Sequence, residues 1–203
     1  MKNFAVLCSG FGSNLQAIIN SVKKNKIKAN IALVLSDKID SYALVRAKKA
    51  GLLFVVADPK GFSDRQSYDK YVVKKLKSQK IDYVVLAGFM RIVSPYFIKS
   101  FKNKIVNIHP SLLPAFKGTK GIDDAFNYGV KVTGVSVHFV NEQLDGGPII
   151  LQESVKIKTD DTIETLAARI HKIEHKLYPQ ALKILVDGKL KIKNGKVIIK
   201  TKQ

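Results

Sequence analysis

Short, unbroken apolar runs separated by segments of helical period constrain this chain more than any other feature. Phe4-Ala5-Val6-Leu7-Cys8 reads as a strand, after which Leu15, Ile18, Ile19 and Val22 fall at helical spacing. Residues 31–35 form a second strand, residues 42–50 a helix stopped by Gly51, and residues 53–56 a third strand. Tyr68, Tyr71, Val72 and Leu76 give residues 64–79 a helical face, and Tyr83-Val84-Val85-Leu86-Ala87 is a fourth strand. Strands that are apolar at every position and alternate with helices predict a parallel sheet covered on both faces. Ligands of such a sheet sit beyond the carboxyl ends of its strands, which is where Gly12, Gly88, Asn107 and His109 fall.

The second half departs from this rhythm. The loop Ala115-Phe116-Lys117-Gly118-Thr119-Lys120-Gly121 leads into a short helix that Gly129 ends. Residues 132–140 alternate, with Val135, Val137 and Phe139 on one face and Ser136, His138 and Val140 on the other. We read His138 as a core residue in preference to one facing a site. Residues 149–157 form a strand antiparallel to their neighbour, because the turn between them is too short for a crossover helix. Residues 162–186 make the longest helix, opened by a capping-box-like Asp161-Thr162-Ile163-Glu164, and Pro179 predicts a kink. Glu174 lies on its apolar stripe between Ile170 and Leu177, where a carboxylate has to be paired or functional. Residues 189–199 alternate about Asn194-Gly195 as a hairpin whose lysines protect an edge. The expected fold is α/β, Rossmann-like: a mostly parallel twisted sheet with helices on both faces and antiparallel strands in the C-terminal half.

Composition narrows the partners. At 203 residues the chain can bury a full core in one domain. The net charge is +19, yet only Arg46, Arg65, Arg91 and Arg169 of the 35 basic residues are arginines. The lysines are dispersed, with local density at residues 23–28, 74–80 and 189–202. Nucleic-acid readers focus charge on one face and use arginine forks, so a solvated surface attractive to small anions is the better reading. No apolar run approaches the roughly 20 residues of a membrane span, and the apolar core after Met1 is too short for a signal peptide. A lone cysteine, Cys8, forms no internal disulfide and fits a reducing cytoplasm.

Two stretches carry chemistry. Ser9-Gly10-Phe11-Gly12-Ser13-Asn14 joins the first strand to a helix N-terminus, an arrangement whose free amides and dipole hold an anion. The dinucleotide fingerprint fails at Leu15 and the Walker pattern fails at Gly12-Ser13-Asn14, so the turn suits a single phosphate. Further on, Val106-Asn107-Ile108-His109-Pro110 puts an amide and an imidazole on one face of a strand end, and Pro110 stops the strand. Asp145 follows on the turn Leu144-Asp145-Gly146-Gly147-Pro148. An amide, an imidazole and a carboxylate are what acyl transfer requires. By spacing alone, a strand-capping Asn107 and a satisfied core His109 stand level with that reading. His171-Lys172-Ile173-Glu174-His175 matches an inverted zinc-protease motif but has no further acidic ligand suitably placed after it, so no metal is expected.

Ser9-Gly10-Phe11-Gly12-Ser13-Asn14-Leu15-Gln16-Ala17-Ile18, Leu86-Ala87-Gly88-Phe89-Met90-Arg91-Ile92, Asn107-Ile108-His109-Pro110-Ser111-Leu112-Leu113-Pro114 and Leu144-Asp145-Gly146-Gly147-Pro148-Ile149 closely resemble the phosphoribosylglycinamide formyltransferase family, from Phe4 to about Gly188. The resemblance implies the formyltransferase fold as a single domain, 1–203. Its phosphate-binding half would span about 1–100 and its folate-binding and catalytic half about 101–203. It implies a substrate amine, that of 5-phosphoribosylglycinamide, attacking the formyl group of the co-substrate 10-formyltetrahydrofolate in purine biosynthesis. Asn107 would donate to the oxyanion, and His109, charged by Asp145, would stabilise it and relay a proton. Gly12, Ser13 and Asn14 would hold the ribose phosphate, and Glu174 the glycinamide. Met90, Arg91, Ile92 and Val93 would line the pterin pocket, with Arg65, Asn107, Val140, Asn141 and Asp145 helping to hold the folate. Both ligands are anionic, which the basic surface suits. The resemblance implies no nucleic acid and no membrane as partner, and it admits a homodimer. Lys117 stands where many relatives carry proline, and the loop Gly118-Thr119-Lys120-Gly121 lacks the histidine some carry, so that loop carries no assigned ligand role. Other formyl-folate enzymes would need a tRNA-binding or regulatory domain for which the chain has no room. A basic, non-catalytic nucleotide-binding module would explain the charge and the glycine turn but not Asn107, His109 and Asp145 together.

Overall fold

The computed structural model describes residues 1–200, so Lys202 of the last lysine cluster lies outside the described residues. Seven strands form a mixed, mostly parallel sheet, and a separate antiparallel hairpin follows. The chain divides into two compact units, Met1–Val106 and a second beginning at Asn107.

In the first unit β1 (Lys2–Cys8) pairs in parallel with β2 (Ala29–Ser36) on one side and β4 (Tyr83–Leu86) on the other. β3 (Phe54–Val56) lies outside β2. Phe4 through Cys8 are all buried, as an unbroken apolar strand must be when both faces of its sheet are covered. That burial pushes the Cys8 thiol up to about 12 and leaves it inert. β3 is only half-buried, in keeping with an edge. The helices α1 (Ser13–Lys23), α2 (Tyr42–Lys49) and α3 (Arg65–Ser78) lie where the periodicity predicts them. Asp64 caps α3 by accepting from the Ser67 amide at 2.7 Å. The sequence reading missed a 3₁₀ turn at Pro59–Gly61 and the six-residue α4 (Pro95–Ser100), both too short for a periodic signal.

Because β1 has β2 on one side and β4 on the other, the strand order reverses at β1, the kind of switch point beyond whose carboxyl ends such sheets bind ligands. Two contacts lace those ends together. The Ser9 amide donates to the Gly88 carbonyl at 2.9 Å, and the Met90 amide donates to Ser9 Oγ at 2.8 Å.

β5 (Ile105–His109) carries the chain into the second unit, where α5 (Gly121–Tyr128) precedes β6 (Val132–Phe139). β6 pairs antiparallel with β7 (Ile149–Lys156), as the short connection predicts. From Thr133 to Phe139 every residue of β6 is buried, so its polar face is enclosed as well as its apolar one. α6 (Ile163–Val186) packs on β6 and β7 and runs through a buried Pro179 to Val186. Its capping box corrects the expected one. The cap is Thr162 rather than Asp161, and its box partner is Thr165, the third residue of the helix, whose hydroxyl accepts from the Thr162 amide at 2.9 Å. β8 (Leu190–Lys193) and β9 (Lys196–Ile199) make the hairpin about Asn194-Gly195. Among the described residues no helix is long and apolar enough to cross a membrane.

One polar contact joins α3 to α4. The buried Asp69 carboxylate accepts from the Ser94 amide at 2.5 Å, and Ser94 Oγ accepts from the Phe97 amide to cap α4. Asp69→Ala should orphan that amide in the core and cost about 2 kcal/mol, read as a lower urea midpoint with an unchanged slope. An unshifted midpoint would show the contact to be idle.

Candidate active site

In the first unit the turn after β1 leads through Gly12 directly into α1. Gly12 sits at φ +71°, and a Cβ there would lie 2.7 Å from the Ala43 Cβ, so only glycine fits. Gly12 also makes the turn into α1, whose first residues are Ser13 and Asn14. The next cluster in this unit follows β4. Met90 and Ile92 expose apolar side chains, Val93 is buried, and Arg91 stacks over the Tyr68 ring at 4.6 Å. Arg65, at the start of α3, donates from Nη2 to the Val93 carbonyl at 3.3 Å, so two residues assigned to the folate meet directly.

In the second unit Asn107, His109 and Asp145 come together as expected of neighbours on one strand face and a glycine-rich turn. Nε2 of His109 donates to the Phe116 carbonyl at 2.8 Å, and Nδ1 lies 3.5 Å from Asp145 Oδ2. Both ring nitrogens face oxygen acceptors. The same Asp145 oxygen accepts from the Gly118 amide at 2.9 Å. Asp145 adopts φ +47°, a left-handed conformation that aspartate tolerates in a turn. On the same turn Asn141 is half-buried, and its side chain spans the bend, donating to the Gly146 carbonyl and accepting from the Gln143 amide. Val140 is half-buried beside it.

The loop 115–121, without an assigned role in the sequence reading, turns out to be structural support for the histidine. Phe116 supplies its carbonyl and Gly118 its amide. A Cβ at Gly121 would come within 3.1 Å of His109 Nε2, so the missing side chain leaves room for the Phe116 bond. The preceding segment is fastened to β6. Ser136 Oγ donates to the Ser111 carbonyl at 2.6 Å and accepts from the Leu113 amide and from Gln152 Nε2.

His138 lies in the core, as expected, and it also borders the cluster. Its Nε2 stands 3.3 Å from Asn107 Nδ2 and 3.7 Å from Asp145 Oδ1. Its face of β6 is the polar one, and the alternation of Ser136 and His138 was the available signal. Nδ1 donates to the Phe139 carbonyl at 2.8 Å, which fixes the neutral ring with a bare Nε2. Asn107 therefore donates one of its two amide hydrogens to His138. Burial pushes His138 below its ordinary pKa, outweighing the Phe139 carbonyl and Asp145 carboxylate, which pull it up.

Glu174 is buried on α6 and accepts from His171 Nδ1 at 3.0 Å. That bond raises the pKa of the half-exposed His171. The carboxylate on the apolar stripe is thus paired on its own helix.

An amide, an imidazole and a carboxylate gathered at a strand end are the set of groups that acyl transfer requires. Residues 2–182 match the family described as Formyl transferase, and the chain belongs to it. Within that family it groups with the phosphoribosylglycinamide formyltransferases. It is 40% identical over 186 residues to the phosphoribosylglycinamide formyltransferase of Bacillus subtilis, covering 92% of this chain and 95% of that one. It is 44% identical over 194 residues to the trifunctional purine biosynthetic protein adenosine-3 of Bos taurus, a match covering 95% of this chain but only 19% of that longer protein. The solved structure of glycinamide ribonucleotide transformylase 1 from Symbiobacterium toebii superposes with a TM-score of 0.96 at 42% identity, covering 98% of this chain and 94% of that one.

The His138 environment has a measurable signature. Its folded-state pKa lies below the ordinary 6.5, so the unfolded chain binds the proton more readily and stability falls as pH drops through that value. The stability margin of the wild type over His138→Gln should therefore shrink as pH is lowered from about 7.5 to about 5.5 in urea denaturation. A margin independent of pH would contradict the neutral buried ring.

Proposed function

We propose that the chain transfers the formyl group of 10-formyltetrahydrofolate to the amine of 5-phosphoribosylglycinamide, giving formylglycinamide ribonucleotide and tetrahydrofolate in purine biosynthesis. The observation that carries this reading is the buried cluster of Asn107, His109, Asp145 and His138 in a member of this family.

The substrate amine attacks the formyl carbon, and the carbonyl electrons move onto its oxygen. Asn107 donates its remaining amide hydrogen to that oxyanion, its orientation set by His138. His109, held between Asp145 and the Phe116 carbonyl, adds positive charge beside the oxyanion. The attacking nitrogen loses a proton, the bond from the formyl carbon to the folate nitrogen breaks, and that nitrogen is protonated. His109 relays this proton through Nε2, which exchanges its bond to the Phe116 carbonyl for one to the reacting nitrogen, while Asp145 keeps the ring oriented at Nδ1. Gly12, Ser13 and Asn14 hold the ribose phosphate, and Glu174 accepts from the glycinamide. Met90, Arg91, Ile92 and Val93 contact the pterin, while Arg65, Asn107, Val140, Asn141 and Asp145 hold the folate. The net charge of +19 favours encounter with two anionic substrates.

Release of tetrahydrofolate from 10-formyltetrahydrofolate should require the ribonucleotide. Release without it would identify a deformylase, and no release at all would refute the transferase. His109→Ala should lower turnover by roughly 10²-fold or more, the usual cost of losing a proton-transfer or oxyanion group. Turnover near wild type would remove His109 from the mechanism. Glu174→Ala should weaken ribonucleotide binding in calorimetry and leave the far-UV spectrum unchanged, whereas unaltered affinity would reassign Glu174 to a purely structural pairing with His171.

A further inference from the structure

We propose that Arg46 is a positioning residue that aims the amides of the phosphate turn through the turn's own carbonyl groups; this rests on the reading of Gly12, Ser13 and Asn14 as the phosphate site. Arg46 lies on α2, away from the turn in sequence. Its Nε donates to the Phe11 carbonyl at 2.9 Å, and its Nη1 donates to Gln16 Oε1 on α1 at 3.2 Å. Two neighbours act on the preceding carbonyl: Ser41 Oγ and the Ala43 amide both donate to Gly10 oxygen, at 2.8 and 3.1 Å. Donors from one short segment thus hold two consecutive carbonyls.

In a planar trans peptide the carbonyl and the next amide point in opposite directions. Drawing the Phe11 oxygen toward α2 therefore turns the Gly12 N–H the other way. Holding the Gly10 oxygen does the same for the Phe11 N–H. The cradle's donors are thus directed by fixing their carbonyl partners, with no contact between Arg46 and the anion.

Two exposed aromatic rings make sense on this basis. Phe11 is 66% exposed although it sits in the turn itself, and Tyr42 is also exposed. The rings stack at 5.2 Å with an interplanar angle of 10°. The guanidinium carbon lies 4.5 Å from the Phe11 ring centre and 4.9 Å from that of Tyr42. A guanidinium held by two π faces and two acceptors in a fixed fork has little freedom to turn. Lysine at this position would keep the charge and lose the fork.

Steady-state kinetics with 5-phosphoribosylglycinamide at saturating 10-formyltetrahydrofolate test this in wild type, Arg46→Lys, Tyr42→Leu and Ser13→Ala. Arg46→Lys should raise KM for the ribonucleotide about tenfold and lower kcat by less than about threefold. The inhibition constant of inorganic phosphate should rise in parallel. Tyr42→Leu, which removes only an exposed platform and tests the same device should the arginine variant fold poorly, should raise KM by a smaller factor. Ser13→Ala should raise KM by contact with the phosphate. If Ser13→Ala raises KM and Arg46→Lys stays within about twofold of wild type, charge alone suffices and the positioning role is overturned. A loss in kcat without a rise in KM overturns it equally. If neither variant changes KM or phosphate inhibition, the turn is not the phosphate site and both readings fall together.

Discussion

The second unit depends on how one buried carboxylate is satisfied. Asp145 is nearly enclosed, and an enclosed carboxylate without partners would be expensive. It takes the Gly118 amide as a hydrogen-bond donor and sits against His109 and His138. Each partner belongs to a different segment: β5, β6 and the loop before α5. The bend that carries Asp145 closes on itself through the Gly146 amide to Gln143 and the Phe139 amide to Pro148. One side chain therefore links four successive stretches of the second unit.

The two imidazoles around that carboxylate are held in different ways. His138 is pinned by its own neighbour's carbonyl, which leaves Nε2 as an acceptor for Asn107. His109 has oxygen acceptors at both nitrogens. One ring thus orients an amide, and the other is held between two oxygen acceptors. Ser136, buried in β6, holds the Ser111 carbonyl and the Leu113 amide, so the segment after His109 is anchored before any substrate arrives. Such preorganisation keeps donors aimed where charge develops and removes the cost of reorienting them during reaction.

The first unit solves a different problem with similar economy. Its strand order reverses at β1, and the carboxyl ends of β1 and β4 are tied by Ser9 to Gly88 and Met90. The glycine turn is packed so closely on α2 that Gly12 cannot carry a side chain. The turn after β1 is therefore fastened to the segment that carries α2, through Gly12 packed on Ala43 and donors to the Gly10 and Phe11 carbonyls.

Much of this was legible in the chain. Continuous apolar runs and helical periods reveal the α/β class because burial on both faces leaves no room for polar alternation, and β1 is such a strand. Asn107 and His109 could be placed on one face because a strand's side chains alternate, and Asp145 could be tied to them by its turn and by the family resemblance. The short elements Pro59–Gly61 and Pro95–Ser100 left no periodic trace. The sequence by itself determined the fold class and the set of reactive groups, since both follow from local periodicity and residue chemistry. Only the tertiary structure decided that His138 orients Asn107, that Phe116 and Gly118 hold His109 and Asp145, and that Arg46 grips the glycine turn. Those relations are distances between residues on different elements, and they exist only once packing has brought the elements together.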